Sequence, residues 1–439
     1  MTNMADFEKT ICPHSEFCGG CKYQGIPYAE QLVKKEDYVT RLLEKAGVDP
    51  VKRDPIEGCD RIYEYRNKME YTFGDMVKGG EMTLGMHLAG KYWSIVTTDK
   101  CQLVHPDFNK ILKATLMFCA EKGYPRYGKK FHDGLMRNLV VRRGVRTGEL
   151  LVNVVTASDE ASGHVFDQDG FRDMILGLDL KNQVVGIMRT VTDKAADAVI
   201  ADDARLLYGR DYYMEELMGL KFKVGAFSFF QTNIDAVERL YTEAVGLISD
   251  LEGKEVFDLY SGTGTISQVM ALRAKHVTGI ELVGEAVEAA RNNAGLNGLS
   301  NCDFFEGDVF KVLDEQVDSL PDVIVCDPPR PGIGYKALEK ICSYGVNEIV
   351  YVSCNPKTLV NDLVFFEARG YRVMYLKAFD NFPFTSHVET VCCLYHQKKD
   401  FISVTYEPKD ADYLKQTKRN KSIPPKEVGA GKYSMEGRK

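Results

Sequence analysis

The stretch that decides the fold is FDLYSGTGTIS, Phe257 to Ser267. It begins as a short buried strand and then reaches Gly262 and Gly264, which allow the backbone to turn toward a helix. Strands and helices alternate on both sides of this stretch, and that rhythm predicts a parallel, doubly wound α/β sheet. The other predicted strands are HVTGIE (276–281), NCDFFEG (301–307), DVIVCDPP (322–329) and EIVYVSC (348–354), and the predicted helices cover residues 233–249, 284–295 and 356–369.

Two further strands close this half of the chain, YRVMYLKAF (371–379) and HVETVCCLY (387–395). They are too close in sequence for a helical crossover, so we expect a terminal hairpin in which one strand runs antiparallel to the rest. The α/β domain is therefore predicted over residues 221–398. Its chemistry is expected at the carboxyl ends of the parallel strands.

The region before it, residues 1–220, is predicted to be an α+β domain. Tyr28 to Ala46 has apolar residues at helical spacing, and Gly47 stops that helix. Short strands such as MEYTFG, MTLGMHL, NLVVRRG, LLVNVVT and QVVGIMRTV follow, separated by turns, which predicts a mostly antiparallel sheet. Residues 399–439 are predicted to form a basic, disordered tail, because eleven Lys or Arg stand against six Asp or Glu from Lys398 onward.

The composition limits the partners that this chain can have. Its 439 residues carry 56 Lys and Arg against 63 Asp and Glu, a formal charge of -7, so a nucleic-acid partner would have to meet a local basic face. No apolar run approaches the roughly 20 residues of a membrane span, and the amino terminus MTNMADFEKT lacks the pattern of an export signal. We therefore expect a cytoplasmic protein with no membrane partner, whose 12 cysteines are reduced and available for metal binding or catalysis.

The glycine loop predicts a nucleoside-containing cofactor. Its two glycines let the backbone pass close to a ligand, and Glu281 ends the next strand, where its carboxylate can accept hydrogen bonds from ribose hydroxyls. The third glycine of the dinucleotide fingerprint is absent, since Gln268 takes its place, and a pyrophosphate is disfavoured. S-adenosylmethionine needs only the loop, the ribose carboxylate and an acidic residue after the third strand, here Asp308. The alternative is a simple strand-to-helix turn.

Three residues at predicted strand ends are candidates for chemistry. Asp327 follows the fourth strand in Asp-Pro-Pro-Arg, and Cys354 follows the fifth, just before a helix whose amino terminus would lower the thiol pKa and favour a nucleophile. Glu389 opens the last strand on the same side, where partial burial would raise its pKa and suit a general base. The alternatives are a small buried cysteine, a solvated glutamate and a turn-forming aspartate.

Three cysteines crowd near the amino terminus as Cys12-x5-Cys18-x2-Cys21. From this spacing alone, structural zinc and an iron–sulfur cluster are equally compatible, and unliganded thiols are the third alternative.

Five segments, in this order, make the chain resemble the RNA 5-methyluridine methyltransferases, which methylate C5 of uracil in ribosomal or transfer RNA. They are FSFFQTN (227–233), DLYSGTG (258–264), CDPPRPG (326–332), YVSCNP (351–356) and HVET (387–390). The resemblance implies a Rossmann-like, S-adenosylmethionine-dependent domain in which Cys354 adds to uracil C6 and Glu389 accepts the C5 proton. The cofactor-binding residues that it implies, with Gln231 and Asp327 also near the target base, are Gln231, Tyr260, Gly262, Gly264, Glu281, Asp308 and Asp327.

The resemblance also implies that Cys12, Cys18, Cys21 and the distant Cys101 hold a four-iron, four-sulfur cluster. The family pattern, not the spacing, selects Cys101. Methyl transfer needs no electron, so a structural role is expected for the cluster. Because cluster-bearing relatives act mostly on ribosomal RNA, 23S rRNA is the expected substrate, with transfer RNA as the alternative.

RNA contacts are expected from basic and amide side chains of the central region. They are Arg66, Lys68, Arg137, Asn138, Arg142 and Arg143, for which a solvated strand face is the alternative. Many relatives carry a small all-β RNA-binding module before the cysteines; only eleven residues precede Cys12, so that module is expected to be missing. RNA binding would then depend on the central region and the basic tail, and the target uridine must leave its stack. We expect a monomer without an obligate protein partner.

Two other classes of function are compatible with the sequence. An Asp-Pro-Pro motif also occurs in amino-group methyltransferases that act on RNA or protein, and their chemistry would not need Cys354. A non-enzymatic iron–sulfur protein that binds or chaperones RNA could have kept the same fold, and it would not need Glu389.

Overall fold

The computed structural model describes residues 11–128, 130–194, 202–308, 312 and 320–397, so the basic tail predicted for residues 399–439 lies outside the described residues. The helices are α1 (Tyr28–Ala46), α2 (Pro106–Glu121), α3 (Asp159–Ser162), α4 (Gln168–Leu176), α5 (Ile234–Gly246), α6 (Thr265–Ala271), α7 (Gly284–Leu296), α8 (Tyr335–Ser343) and α9 (Pro356–Ala368). Among these described helices, none combines the length and the apolar character that crossing a membrane requires.

The strands fall into two groups along the chain. The first group is β1 (Lys52–Glu57), β2 (Lys68–Asp75), β3 (Met82–Leu88), β4 (Lys91–Thr97), β5 (Met136–Arg143), β6 (Glu149–Thr156), β7 (Gln183–Val191), β8 (Asp203–Gly209), β9 (Tyr212–Leu217) and β10 (Leu220–Gly225). The second group is β11 (Glu255–Leu259), β12 (His276–Glu281), β13 (Cys302–Glu306), β14 (Val323–Cys326), β15 (Glu348–Ser353), β16 (Tyr371–Phe379) and β17 (Glu389–His396).

The second group builds an eight-stranded sheet in the order β1-β16-β17-β15-β14-β11-β12-β13. Every neighbouring pair is parallel except the two made by β17, which runs antiparallel to β15 and β16. One apolar cluster covers the sheet with side chains of α5, α6 and α7, and a second covers it with side chains of α1, α8 and α9. The predicted α/β sheet and its terminal antiparallel hairpin are confirmed. β11 has β12 on one side and β14 on the other, which opens a crevice at the carboxyl ends.

An amino-terminal segment completes this sheet. β1 pairs in parallel with β16 and places Glu57 opposite Phe379. α1 buries Val39 in the same apolar cluster as Phe366 of α9. The sequence groups these elements with residues 1–220, because local periodicity carries no information about a strand pairing between residues so distant in the chain.

The remaining strands, β2 to β8, form a seven-stranded sheet in the order β4-β3-β2-β5-β6-β7-β8. Only the β6–β7 pair is parallel, so the predicted mostly antiparallel sheet is confirmed. α2 and α4 cover one face, where Phe108 and Phe171 share an apolar cluster with Tyr71 of β2. On the other face, the β9–β10 hairpin places Tyr213 in one cluster with Leu151 of β6.

Candidate active site

The glycine loop between β11 and α6 is shaped by residues with positive φ. Gly264 has φ 72°, and a Cβ there would lie 2.7 Å from the Phe304 ring, so only glycine fits. Gly262 has φ 54°, and a Cβ there would meet nothing within 4 Å, which leaves that side of the loop open to a ligand. Tyr260, at φ 71°, turns the chain out of β11. The loop is thus held in a conformation that exposes its backbone.

Glu281, at the end of β12, closes the loop from the next strand. Its Oε2 accepts the Gly262 N–H at 3.0 Å, and its Oε1 accepts the Val283 N–H at 3.0 Å. Each carboxylate oxygen keeps a further lone pair that can accept a hydroxyl hydrogen. Asp308 follows β13 and is exposed; beside it, the Gly307 N–H donates to the Glu281 carbonyl at 2.9 Å. The open loop and its two acidic residues fit the ribose and adenine of the predicted S-adenosylmethionine.

A hydrogen-bonded chain joins the FSFFQTN segment to this loop. Gln231 Nε2 donates to the Tyr241 hydroxyl at 3.3 Å, and that hydroxyl lies 3.0 Å from Thr265 Oγ1. Burial, and then the charge of Asp327, raises the pKa of Tyr241, so Asp327 lies near the same hydroxyl. The predicted residues Gln231 and Asp327 are therefore brought together. Tyr241 was not identified from the sequence, because a tyrosine on the apolar side of a helix carries no signal beyond core packing.

The pairing of β15 with β17 brings Cys354 and Glu389 to the same edge of the sheet. Ser353 pairs with Thr390 as the last register pair of these antiparallel strands, and Thr390 Oγ1 donates to the Ser353 carbonyl at 3.3 Å. Cys354 follows directly after β15, Glu389 is the residue before Thr390 on β17, and the charge of Glu389 acts on the Cys354 thiol, so the two side chains lie close together. Cys354 is half-buried, and Glu389 is buried with 8% of its surface exposed.

The acidic side chains at this edge of the sheet have higher pKa values than exposed carboxyl groups. Burial, together with the charge of Asp327, raises the pKa of Glu389 to about 8, which confirms the raised value expected from the sequence. Burial also raises the pKa of Asp327 to about 7. Deeper in the sheet, burial raises the pKa of Asp258 to about 7, although Ser267 hydrogen-bonds to its carboxylate. Near neutral pH, protons can therefore be taken up and released at this edge.

The pKa of the Cys354 thiol contradicts the expectation from the sequence. Burial, and then the charge of Glu389, raises the pKa of Cys354 to about 11, whereas a helix amino terminus predicts a lowered value. The cause is local. Pro356 has no N–H, and the Asn355 side chain accepts the Lys357 N–H at 3.3 Å, so the first turn of α9 is already capped. The unliganded thiol is protonated at neutral pH.

Arg330 supplies a positive charge beside these groups. Its guanidinium lowers the pKa of both Cys354 and Glu389, against the larger effect of burial. Its backbone carbonyl accepts Asn355 Nδ2 at 2.9 Å and Thr358 Oγ1 at 3.2 Å, which ties the Asp-Pro-Pro-Arg turn to the start of α9. The sequence motif contains this arginine, but one arginine in a turn does not reveal which groups it faces.

Residues 380–388, which lead into Glu389, are fixed by the amino-terminal part of the chain. Asp380 Oδ1 accepts Lys35 Nζ at 2.6 Å, and both side chains are fully buried. Gln31 Oε1 accepts the Phe384 N–H at 2.8 Å. Because the next residues form the start of β17, α1 determines where the Glu389 carboxylate lies.

The four cysteines assigned to a cluster lie close to one another. Burial, and then the charges of Cys101, Cys18 and Cys12, raises the pKa of Cys21 to about 12. Burial raises the pKa of Cys101 to about 11, and Cys12 and Cys18 add to it. Neighbouring thiols raise one another's pKa, so several of them become thiolates together only when a cation binds to them. Within the described ranges, no group of three or more His, Cys, Asp or Glu side chains is positioned to hold a single metal ion.

Two of the arginines predicted to contact RNA are used inside the protein. Arg142 is buried with 3% exposed, and Arg137 is buried with 8% exposed. Arg137 donates to the Thr192 and Lys194 carbonyls at 2.9 and 2.8 Å. Arg137 thus makes structural hydrogen bonds, and Arg142 is buried beside Tyr213. Arg66, Lys68, Asn138 and Arg143 are half-buried and reach the surface.

Comparison with known proteins identifies two matching family models. The model described as tRNA (Uracil-5-)-methyltransferase matches residues 310–398, and the model described as Methyltransferase small domain matches residues 219–338. The first match contains Asp327, Cys354 and Glu389, and the second contains the glycine loop.

Curated relatives and one solved structure match most of the chain. A protein of Clostridium tetani named Uncharacterized RNA methyltransferase is 48% identical over 389 residues, which are 89% of this chain and 84% of the relative. A protein of Caldanaerobacter subterraneus subsp. tengcongensis with a corresponding name is 48% identical over 87% of this chain and 83% of the relative. The crystal structure of the Pyrococcus abyssi tRNA (uracil-54, C5)-methyltransferase in complex with S-adenosyl-L-homocysteine has a TM-score of 0.70 and 27% identity, covering 86% of this chain and 84% of that one.

Proposed function

The chain belongs to the RNA (uracil-5-)-methyltransferase family and is an S-adenosylmethionine-dependent RNA methyltransferase, and we propose that it converts uridine in 23S ribosomal RNA to 5-methyluridine. The observation that carries the proposed chemistry is the β15–β17 register, which makes Cys354 and Glu389 neighbours at the carboxyl edge of the sheet. A nucleophile and a proton acceptor on one side of a planar ring are what substitution at uracil C5 requires.

In the proposed mechanism, the Sγ of Cys354 forms a bond to C6 of the target uracil. This addition turns C5 into an enolate-type carbon that can act as a nucleophile. S-adenosylmethionine, when bound, supplies the methyl group that C5 takes. The Glu389 carboxylate then accepts the C5 proton, the C6–Sγ bond breaks, and the sulfur leaves as a thiolate with 5-methyluridine restored to aromaticity.

The protonation states of the unliganded site set conditions on this sequence. The Cys354 thiol, with a pKa of about 11, must lose its proton to solvent before the addition, and Arg330 favours the thiolate. Glu389, with a pKa of about 8, must be ionised when the C5 proton leaves. Both requirements predict a rate of methyl transfer that rises between pH 6 and pH 9.

The cofactor would be held by the open glycine loop. Glu281 would accept the ribose hydroxyls, Tyr260 and Asp308 would contact the adenosine, and Gln231 and Asp327 would lie between cofactor and target base. The support is the open side of Gly262 and the chain of hydrogen bonds from Gln231 to Thr265.

Transfer of a radiolabelled methyl group to RNA tests the chemistry. The Cys354→Ala variant should transfer no methyl group while it still binds S-adenosylmethionine, because the thiol lies outside the glycine loop. Cys342→Ala, which changes a half-buried thiol elsewhere in the same domain, should act as the parent does. Full activity of Cys354→Ala would favour the amino-group methyltransferase instead.

The choice of ribosomal RNA rests on Cys12, Cys18, Cys21 and Cys101, since relatives that carry a cluster act mostly on ribosomal RNA. The Pyrococcus abyssi structure is that of a transfer RNA enzyme, which makes transfer RNA the second candidate. Mapping 5-methyluridine in 23S rRNA and in transfer RNA, from cells with and without this gene, distinguishes the two. A site lost only from 23S rRNA supports the proposal, and a site lost only from transfer RNA contradicts it.

We also propose that Cys12, Cys18, Cys21 and Cys101 hold a four-iron, four-sulfur cluster. A single zinc ion bonded at about 2.3 Å would draw four sulfurs tightly together, whereas each cysteine of such a cluster binds its own iron. The support for a shared site is that the charges of the other three cysteines act on Cys21, and those of Cys12 and Cys18 act on Cys101, so the four thiols lie close together. Anaerobically purified protein should contain iron and absorb visible light; zinc in its place would contradict the cluster.

A further inference from the structure

A recess lies on the seven-stranded sheet, on the face opposite α2 and α4. Its cavity volume is about 220 Å³. Sites for drug-sized ligands are typically about 300–1,000 Å³, so this recess is the size for one flat ring. The residues that line it, from β2, β3, β4 and β5 and the segment before β5, are Glu70, Thr72, Phe73, Gly85, Met86, His87, Tyr92, Tyr127, Arg137 and Asn138.

Aromatic rings form one wall of the recess. The rings of His87 and Tyr92 are stacked, with centroids 4.7 Å apart and an angle of 10° between their planes. Tyr92 is 51% exposed, and its neighbour Trp93, which meets it edge-on, is 80% exposed. Such large exposed rings on a sheet are the platforms on which proteins stack unpaired bases.

The opposite wall is rigid. The Arg137 guanidinium lies 4.1 Å from the centre of the Tyr127 ring and is fixed by the two carbonyls of residues 192 and 194. The Tyr127 hydroxyl hydrogen-bonds to His132 Nδ1 at 2.8 Å. Arg137 therefore shapes the recess, which is why it is buried and does not lie on the solvent face.

The floor of the recess carries groups that can form hydrogen bonds with the edge of a base. Thr72 and Asn138 are paired across β2 and β5, with Asn138 Nδ2 donating to Thr72 Oγ1 at 3.4 Å. Glu70, two residues before Thr72 on the same face, is half-exposed; Lys68 Nζ lies 4.0 Å from its carboxylate, and the buried Arg142 also acts on it. A carboxylate accepts hydrogen bonds from exocyclic amino groups of bases. His87 Nδ1 is buried without a hydrogen-bond partner among the described residues, which leaves one polar atom for a ligand to satisfy.

β2 connects this recess to the candidate active site. Asn67, the residue before β2, donates from Nδ2 to the Gln231 carbonyl at 3.0 Å, and its N–H donates to the Thr232 carbonyl at 3.0 Å. Glu70 and Thr72 are three and five residues further along the strand, or about 10 and 17 Å at the usual rise per residue. A short single-stranded segment can span that separation.

From these observations we infer that the recess binds one unpaired base of the RNA substrate, a few nucleotides from the target uridine, and that it selects a base with an exocyclic amino group. The inference rests on the proposed function, because it takes the ligand to be the RNA that is methylated. The base stacks on Tyr92, and Glu70 accepts its amino hydrogens. Uracil, which has no amino group, fits less well.

Fluorescence anisotropy with labelled ten-nucleotide single strands of adenylate, cytidylate or uridylate tests this site in the full-length protein. The parent should bind the adenylate and cytidylate strands more tightly than the uridylate strand. Tyr92→Ala should weaken binding of the first two about tenfold, and Glu70→Gln should remove most of the preference over uridylate. Tyr208→Ala is the matched control, because Tyr208 is a 41% exposed tyrosine on β8, at the other edge of the same sheet.

The outcomes separate this inference from the proposed function. Cys354→Ala leaves the recess intact and should bind all three strands as the parent does, while it transfers no methyl group. If Tyr92→Ala and Glu70→Gln bind the strands as the parent does, the recess is not a base site, although methyl transfer that depends on Cys354 would still support the proposed function. If the parent shows no preference among the strands, selection by Glu70 is wrong.

Discussion

Lys35 and Asp380 form a fully buried ion pair with a 2.6 Å contact between Nζ and Oδ1, although 345 positions separate them in the sequence. The same Lys35 ammonium donates to the Phe382 carbonyl at 3.1 Å. Burial lowers the pKa of Lys35 and raises the pKa of Asp380, and the charge of each partner opposes the effect of burial on the other. The pair fixes the segment before Glu389 onto α1.

Replacing Lys35 with Met should therefore lower both stability and activity. The Asp380 carboxylate would stay buried without its cation, which costs about 3–5 kcal/mol. Urea unfolding measures the loss in the free energy of unfolding, and the rate of methyl transfer measures the displacement of Glu389. Lys34→Met is the control, because Lys34 is exposed on the same helix. Equal stability of the two variants would mean that the ion pair does not hold this segment.

Glu389→Gln should abolish methyl transfer yet stabilise the protein at alkaline pH. In the folded protein the pKa of Glu389 is raised to about 8 from 4.5, so the fold favours the protonated form and loses stability as the pH rises from about 4.5 to 8. The uncharged amide removes that loss. Thermal unfolding should show the variant more stable than the parent at pH 9 and similar to it at pH 4. A difference that stays constant with pH would contradict the raised pKa.

The exposed Glu285 provides the control for this comparison. Glu285→Gln changes the same charge on α7, away from β17, and should show no extra stability at pH 9. Its methyl-transfer rate should remain that of the parent.

Cofactor binding should increase the reactivity of Cys354. The unliganded thiol has a pKa of about 11, and a sulfonium cation near it would lower that pKa. Alkylation by iodoacetamide at pH 8, followed at Cys354 by peptide mass spectrometry, should be slow in the free protein and faster with S-adenosylmethionine. Neutral S-adenosylhomocysteine is the steric control and should not accelerate it. Equal rates with both compounds would contradict activation by charge.

Loss of the proposed iron–sulfur cluster should weaken RNA binding and leave the cofactor site unaffected. The cysteine loop is joined to β3 because the Gly19 N–H donates to the His87 carbonyl at 2.9 Å and the Ala89 N–H donates to the Phe17 carbonyl at 2.7 Å. If the proposed cluster orders this loop, the loop without it would no longer hold His87, which forms part of the wall of the recess. Cys18→Ser should therefore reduce iron content and affinity for single-stranded RNA, and leave S-adenosylmethionine affinity unchanged.

Cys342→Ser changes a half-buried thiol of α8 and serves as the comparison for Cys18→Ser. It should keep both the iron and the affinity for RNA. If Cys18→Ser loses iron but binds RNA as the parent does, the loop does not support the recess.

Local sequence patterns identified the parts of the site that lie within one strand-turn-helix unit. Gly262 and Gly264 follow a buried strand, and Glu281 ends the next, so their meeting needed only the order of a parallel sheet. The antiparallel direction predicted for the last strand placed Glu389 on the same side of the sheet as Cys354. That β17 lies directly beside β15 was not predicted and is seen only in the strand order of the sheet.

Other features depend on contacts that no local pattern displays. The pairing of β1 with β16 and the burial of Lys35 against Asp380 join segments that lie far apart in the sequence. The raised pKa of Cys354 depends on how deeply the thiol is buried and on the cap that Asn355 provides, and the spacing before a helix indicates neither. The recess was missed because His87 and Tyr92 are adjacent only through the β3–β4 pairing.

The most direct measurement is the mass of the protein after incubation with S-adenosylmethionine and substrate RNA that contains 5-fluorouridine. Fluorine at C5 cannot leave as a proton, so the bond between Cys354 Sγ and C6 should persist, and the denatured protein should carry the methylated RNA, with a digest locating the adduct at Cys354. Methylated RNA formed without any adduct at Cys354 would contradict thiolate addition, and with it the role given to the Cys354–Glu389 pair.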